Sequence, residues 1–358
     1  PQMRDLQYLI TDGRTFFHEE KRHLTPKIER IGSHSLGYRI HSSDPDGHYR
    51  LEKEVVAAPH LPVILEHTRF LRTDGSTDPL GLYVLAAPHL GGGGRGNDGY
   101  VVETAGREFL AAEAQGTAMA IGSTAPFRRL STGYVGASDG WTDLKENYRM
   151  DFEFDRAPGG NVALMAEVPV DLNPEFTIAV AFGRGLPSAV TSLLQALGEP
   201  YVRHRHRFLE QWERPCRDIL PLKVRTSDQG TLYHASYSTL LAHEDKTFAG
   251  GFIASMSIPW GNAKGDEDRG GYHLVWTRDL YHTAIGLLAA GDKETPLRIL
   301  IYLAASQQSD GGYPQNFWLN GEGYWQGIQL DEVSFPILLA YRLEKAHGLR
   351  HFDPYPMV

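Results

Sequence analysis

Three segments in the last third of the chain share one chemical vocabulary of aromatic rings, amides, carboxylates and a guanidinium. They are Gly270-Gly271-Tyr272-His273-Leu274-Val275-Trp276-Thr277-Arg278-Asp279, Asp310-Gly311-Gly312-Tyr313-Pro314-Gln315-Asn316-Phe317-Trp318 and Tyr324-Trp325-Gln326-Gly327-Ile328-Gln329-Leu330-Asp331-Glu332. A sugar ring presents apolar C–H faces and a rim of hydroxyls. A site for it needs aromatic platforms beside planar donors and acceptors that hold neighbouring hydroxyls in pairs. Tyr and Trp together with Arg-Asp and Gln-Asp supply both. Each segment, taken singly, has a plainer explanation. Thr277 could cap a helix beginning near Arg278, Asp279 and Asp331-Glu332 could be acidic first-turn residues, and Trp318 and Trp325 could belong to a core. Three such segments at successive helix starts shift the balance toward a carbohydrate site.

Other motifs spell chemistry without the context it needs. Gly94-Arg95-Gly96-Asn97-Asp98-Gly99 matches a dinucleotide-binding spelling, but the strand-like Tyr100-Val101-Val102-Glu103-Thr104 follows where a helix N-terminus must hold the phosphate. It reads as a hairpin loop. Gly136-Ala137-Ser138-Asp139-Gly140 spells a nucleophile elbow, yet the next segment, 141–147, is short and polar and the flanking strands read antiparallel. His204 and His206, in Arg203-His204-Arg205-His206-Arg207, read as a solvated helix face. The acidic loop Gly265-Asp266-Glu267-Asp268 lacks the alternating ligands of a calcium loop, so no tightly bound metal or other cofactor is implied; calcium held by backbone carbonyls elsewhere would leave no trace in the sequence.

The elements that must position the sugar-like groups come in two kinds. Up to about residue 185 the text is short alternating or apolar runs divided by turn signals such as Asp12-Gly13 and Ser43-Asp44-Pro45-Asp46-Gly47. This is the pattern of an antiparallel β-sandwich. Strands are predicted at 63–72, 82–87, 100–104, 109–114, 117–121, 161–168 and 176–182. Beyond Gly183-Arg184-Gly185 the period becomes helical, and Leu193, Leu194, Leu197, Val202, Phe208, Leu209 and Trp212 predict one long helix from near Pro187-Ser188 to about Arg214. Further helices are predicted at 230–242, 280–290, 296–308 and 333–345. The expected domains are a β-sandwich at 1–185, a helical linker at 186–225 and a helical domain at 226–358.

Composition narrows the function classes. A chain of 358 residues implies roughly two domains. With 35 Lys+Arg against 44 Asp+Glu the net charge is −9, which argues against nucleic acid as a partner. No apolar run reaches the ~20 residues that cross a bilayer, so no membrane partner is expected. The lone Cys216 excludes an intrachain disulfide and a Cys-based zinc cluster, and reads as a buried helix residue. The first residues, Pro1-Gln2-Met3-Arg4, carry no charged-then-apolar leader, which leans toward the cytoplasm over secretion while a processed N-terminus leaves the compartment open.

The stretch from Tyr272 to Asp279, with Pro314-Gln315-Asn316 and the stretch from Tyr324 to Glu332, resembles the prokaryotic glucoamylases and glucodextranases of glycoside hydrolase family fifteen. Asp12-Gly13-Arg14-Thr15-Phe16-Phe17-His18-Glu19-Glu20-Lys21, Ser43-Asp44-Pro45-Asp46-Gly47 and Gly133-Tyr134-Val135-Gly136 are similar to the N-terminal β-domain of that family, so the resemblance covers nearly the whole chain. It implies a large antiparallel β-sandwich (a supersandwich), a linker containing a long helix, and a catalytic (α/α)6 barrel that removes glucose from the non-reducing ends of α-glucans with inversion. By the same resemblance Arg278 and Asp279 hold hydroxyls of the terminal glucose and Trp276 is the aromatic beside them. Tyr272 lies close to the nucleophilic water, Trp325 covers the glucose subsites, and Gln329 and Asp331 share its wall. Glu332 belongs with the substrate-binding group, in the motif before the acid, and is not itself taken as catalytic.

Inverting hydrolysis needs two carboxyls about 6.5–9.5 Å apart. The resemblance places the acid in a Trp-Glu-Glu segment and the base near the end of the barrel, and neither segment occurs in these 358 residues. Only four or five helices follow Pro215 where the barrel needs twelve. The expectation is therefore an incomplete barrel, with acid and base beyond Val358, completed by further chain or a second polypeptide, and no glucose release from the chain alone. The alternatives are a glucodextranase or trehalase specificity in the same family, or a non-catalytic carbohydrate-binding module.

Overall fold

The structure, a computed structural model, describes residues 2–256, 271–347 and 349. It forms two compact units, Pro1–Gln211 and Trp212–Val358. The first unit runs β1 (Met3–Thr11), β2 (Phe17–Glu19), α1 (Glu20–His23), β3 (Thr25–Arg30), β4 (Tyr38–Ser43), β5 (Tyr49–Ala57), β6 (Val63–Arg72), β7 (Gly81–Pro88), β8 (Asn97–Thr104), β9 (Arg107–Ala114), β10 (Thr117–Ser123), β11 (Leu130–Tyr134), α2 (Gly140–Asn147), β12 (Arg156–Gly160), β13 (Val162–Val168), β14 (Glu175–Gly183) and α3 (Leu186–Leu197). Helix α4 (Tyr201–Cys216) follows, and the division between the units falls within it.

Two antiparallel sheets build the sandwich, of order β11-β13-β7-β1-β2 and β12-β8-β9-β10-β14-β6-β5-β4-β3. The two-residue side-chain period of a strand sorts their residues onto opposite faces. In β1 and β7, Tyr8, Ile10, Leu82, Val84 and Ala86 point to a core shared with Leu51, Leu110, Met119, Ile121 and Val180 of the larger sheet. Their neighbours Leu9, Tyr83 and Leu85 point the other way and are covered by Leu144 of α2 and by Met150. The smaller sheet is thus apolar on both faces. Tight turns at Ala105-Gly106 (φ 54° and 71°) and Gln115-Gly116 (φ 53° and 73°) join β8, β9 and β10 in the left-handed backbone that two-residue hairpins need.

The dinucleotide-like spelling at 94–99 runs into β8, as the strand pattern implied. In the elbow-like segment Ser138 Oγ accepts the Tyr134 N–H at 3.1 Å and Asp139 caps α2 through the N–H groups of Trp141 and Thr142 at 3.0 and 3.1 Å. That segment is a helix start whose polar groups are spent on its own backbone.

The single long helix predicted over 187–214 is instead two. Helix α3 ends at Gly198, and α4 starts only after Pro200, which has no N–H to continue the ladder and disfavours helical backbone at Glu199. His204, expected on a solvated face, is buried because the break folds α4 back beside α3 and its Nε2 donates to the Ala196 carbonyl at 3.0 Å. His206 does lie exposed. Cys216 closes α4 half-buried rather than buried, and burial pushes its thiol pKa up.

The second unit holds α5 (Thr231–Ala242), α6 (Thr277–Ala289), α7 (Glu294–Ser306), the hairpin β15 (Asn316–Phe317) with β16 (Gly323–Trp325), and α8 (Leu330–Lys345). Helix α6 packs against α5, α7 and α8. Leu280, Ala284, Leu287, Ile299, Leu300, Leu303, Leu339 and Leu343 recur at helical spacing and close this core. Helices α6 and α8 each start three residues before the predicted spans, so Arg278, Asp279, Asp331 and Glu332 lie in first turns. Helix α8 runs through its internal Pro336, as the predicted span 333–345 already did. Among the described residues no helix is long and apolar enough to cross a membrane. The acidic loop Gly265–Asp268 lies outside the described residues.

Candidate functional site: two helix starts and an aromatic hairpin

The N-termini of α6 and α8 meet at a cation. Arg278, second residue of α6, places Nη1 3.1 Å from Asp331 Oδ2 and donates from Nη2 to Gln329 Oε1 at 3.2 Å. Both partners stand at the start of α8, Gln329 as its N-cap and Asp331 in its first turn. Asp279, beside Arg278, has its carboxyl pKa raised above the usual aspartate range although part of its surface is open. Loss of hydration raises it, the Arg278 cation pulls it down, and Asp331 adds to the rise. Two acidic first turns face one guanidinium, a pattern that helix dipoles favour.

Rings line the same place. Tyr272 and Trp276 have centroids 5.9 Å apart, and Trp276 meets Trp325 edge-on at 6.3 Å and 82°. The series continues through Tyr324 at 5.9 Å from Trp325 and on to Trp318 at 5.5 Å from Tyr324. Trp276 is buried, whereas Tyr272 and Trp325 keep 43% and 38% of their surface exposed, so the two outer rings offer faces to a ligand.

The backbone that holds these rings is tied across segments. Val275 and Phe317 exchange N–H···O bonds of 2.8 and 3.1 Å, joining the approach to α6 with β15. Asn316, fully buried, accepts the Trp325 N–H through Oδ1 at 2.9 Å, and Gln315 N donates to the Trp325 carbonyl at 2.9 Å. Asn316 is the positioning residue that reading by residue type left unassigned. Its place in Pro314-Gln315-Asn316 was the one signal that could have found it.

Two details differ from the plain helix-start account. Thr277 does not cap α6: Trp276, in extended backbone, occupies the N-cap position, and Thr277 Oγ1 is buried with no hydrogen-bond partner among the described residues. Glu332 is buried and its Oε2 accepts the Gln329 N–H at 2.9 Å, so one carboxylate oxygen is committed to closing the first turn of α8. Its pKa is raised, by burial first and by Asp331, against the pull of that N–H and of Arg278. The structure thus brings Tyr272, Trp276 and Trp325 together as rings, Arg278, Gln329 and Asp331 together as a polar grip with Asp279 beside it, and sets Glu332 beneath them. Such an arrangement can stack a sugar face while pairing with adjacent hydroxyls.

Residues 1–216 match the family described as glucodextranase, domain N, and residues 227–357 match glycosyl hydrolases family 15. A glucoamylase from Clostridium sp. (strain G0005) is 36% identical over 343 residues, 96% of this chain and 48% of that protein. The crystal structure of a bacterial glucoamylase complexed with acarbose superposes with a TM-score of 0.88 at 36% identity, over 98% of this chain and 51% of that one. A family GH92 alpha-mannosidase from Bacteroides thetaiotaomicron, at 12% identity and a TM-score of 0.51 over 97% of this chain and 47% of that one, shares the fold alone. The chain therefore spans about half the length of the relatives it matches. The chain thus belongs, through residues 1–216, to the family of glucodextranase domain N, and its helical unit matches glycosyl hydrolases family 15.

Proposed function

We propose that this chain carries the glucose-binding part of an exo-acting inverting α-glucosidase of glucoamylase type, which releases glucose from the non-reducing ends of α-glucans. The observation that carries the reading is the Arg278 guanidinium held between Asp331 and Gln329 beside the rings of Tyr272, Trp276 and Trp325. Arg278 and Asp279 bind hydroxyls of the terminal glucose with Trp276 as the aromatic beside them, Trp325 packs on an apolar face of the sugar, and Tyr272 lies toward the attacking water. Gln329 and Asp331 hold Arg278 in place, and Glu332 keeps the first turn of α8 closed so that they can. The similar glucoamylase solved with acarbose supports an α-glucan mimic as the ligand. The relatives are about twice as long, and we assign the general acid and base to the half that they have in addition, in one polypeptide or two.

Titration with acarbose tests this. A lost charge-assisted pair of hydrogen bonds costs about 1.5–3 kcal/mol, so Arg278→Ala is expected to weaken binding roughly ten- to a hundred-fold. Unchanged affinity in that variant would remove Arg278 from the site.

A further inference from the structure

The turn between β4 and β5, Asp44-Pro45-Asp46-Gly47-His48, gathers ligand atoms far from the sugar-binding residues in sequence and in the other unit. Gly47, at φ 79°, lets the chain reverse and donates its N–H to the Asp44 carbonyl at 3.0 Å. One ligand atom from each of Asp44, Asp46 and His48 lies within 4.8 Å of the others. The turn itself accounts for one oxygen of Asp44: Oδ2 accepts the His48 backbone N–H at 3.0 Å and the His48 Nδ1–H at 2.9 Å. It leaves the other unexplained. The Asp44 side chain is fully buried, yet Oδ1 has no hydrogen-bond partner among the described residues, a costly state for a carboxylate oxygen.

What Oδ1 faces is a second imidazole. His18, on β2, holds Nδ1 3.9 Å from Asp44 Oδ1, and the Tyr49 hydroxyl at 2.7 Å and the stacked ring of His23 at 5.1 Å fix its orientation. His18 also lies within electrostatic reach of Asp46 and His48.

We infer that Asp44, Asp46 and His48, with His18 as fourth group, form a binding site for a divalent transition-metal ion of the zinc type. Two imidazoles with two carboxylates suit zinc, nickel or copper, whereas calcium takes six to eight oxygens. A tetrahedral ion with bonds of about 2.0–2.2 Å draws its ligands closer together than they now stand. Asp46 and His48 are both exposed and free to close in. The His48 ring proton passes from Nδ1 to Nε2, a change of tautomer with no net loss of a proton, and Nδ1 turns from Asp44 to the metal. The ion would pin the β4–β5 turn to β2 at the edge of the smaller sheet.

Calorimetric titration of the metal-free chain with zinc chloride, and separately with calcium chloride, tests the site. One zinc per chain is expected. Asp46→Ala and His48→Ala, both at exposed positions, should each weaken binding at least about tenfold, as loss of a direct ligand must exceed the ten- to hundred-fold effect of losing a supporting residue. Absence of saturable zinc binding, zinc binding unchanged in both variants, or calcium bound as tightly as zinc would each overturn the assignment.

Discussion

At the residue scale the chemistry rests on side chains whose types were readable and whose duties were only partly so. Arg278, Asp279, Trp276, Trp325 and Asp331 stand out by kind, because few other demands put Trp, Arg and Asp together at helix starts. The duties of Glu332, Thr277 and Asn316 depend on which backbone N–H lies in reach, and spacing does not disclose that. Asp279 yields a prediction about pH. Its carboxyl is raised by burial, so if the ionised form accepts sugar hydroxyls, binding is complete above that pKa and is lost as pH falls through it, earlier than for an ordinary aspartate. Acarbose affinity measured from pH 7 to 4 should fall with a midpoint above the usual aspartate range, and Asp279→Asn should bind weakly and without that pH dependence. A pH-independent affinity in the unaltered chain would contradict this role.

At the element scale, strands and helices were legible from periodicity, and one long helix failed at a proline. Pro200 sits inside an apolar pattern continuous enough to suggest one helix, and only chain geometry shows that it cannot be one. Pro336, by contrast, lies inside both the predicted helix 333–345 and α8. Helix α4 is fastened to the larger sheet by polar contacts that no pattern announces. Glu54 of β5 takes Arg205 Nε at 2.7 Å, the Tyr201 hydroxyl at 3.2 Å and Arg39 Nη2 at 2.6 Å. Phe208 fits above Gly37, where an added Cβ would come within 2.7 Å of the ring. Burial alone would raise the Glu54 carboxyl, but Arg205 and Arg39 hold it below its ordinary value. Its stabilising contribution is therefore present above the unfolded-state pKa and lost as pH falls through the folded one. Glu54→Gln should cost about 1–2 kcal/mol at pH 7, and the difference in melting temperature from the unaltered chain should shrink on acidification. An equal difference at pH 7 and pH 3.5 would show that Glu54 matters for shape rather than charge.

At the scale of the whole molecule, the helical unit exposes apolar side chains that a closed core would hide. Leu330, Val333, Ile337 and Tyr341 recur along one side of α8, with Ile328 96% exposed just before it. This is the surface expected of a helical unit that is part of a barrel, in keeping with relatives of which the chain spans 48% and 51%. An apolar fluorophore should light up on the isolated chain, and a Leu330→Lys, Ile337→Lys double variant should reduce that signal by at least about half. The expectation of an incomplete barrel implied an uncovered apolar face somewhere, but amphipathic spacing says only that a face is apolar and not which one lacks a cover. The central claim, one glucose ring held by Arg278 and Asp279 against Trp325, is tested most directly by a crystal structure of the chain soaked in acarbose. The account predicts the non-reducing-end ring within hydrogen-bond distance of both Arg278 and Asp279, with Trp325 against its face. Acarbose bound elsewhere, with the Arg278–Asp331 pair untouched, would contradict it.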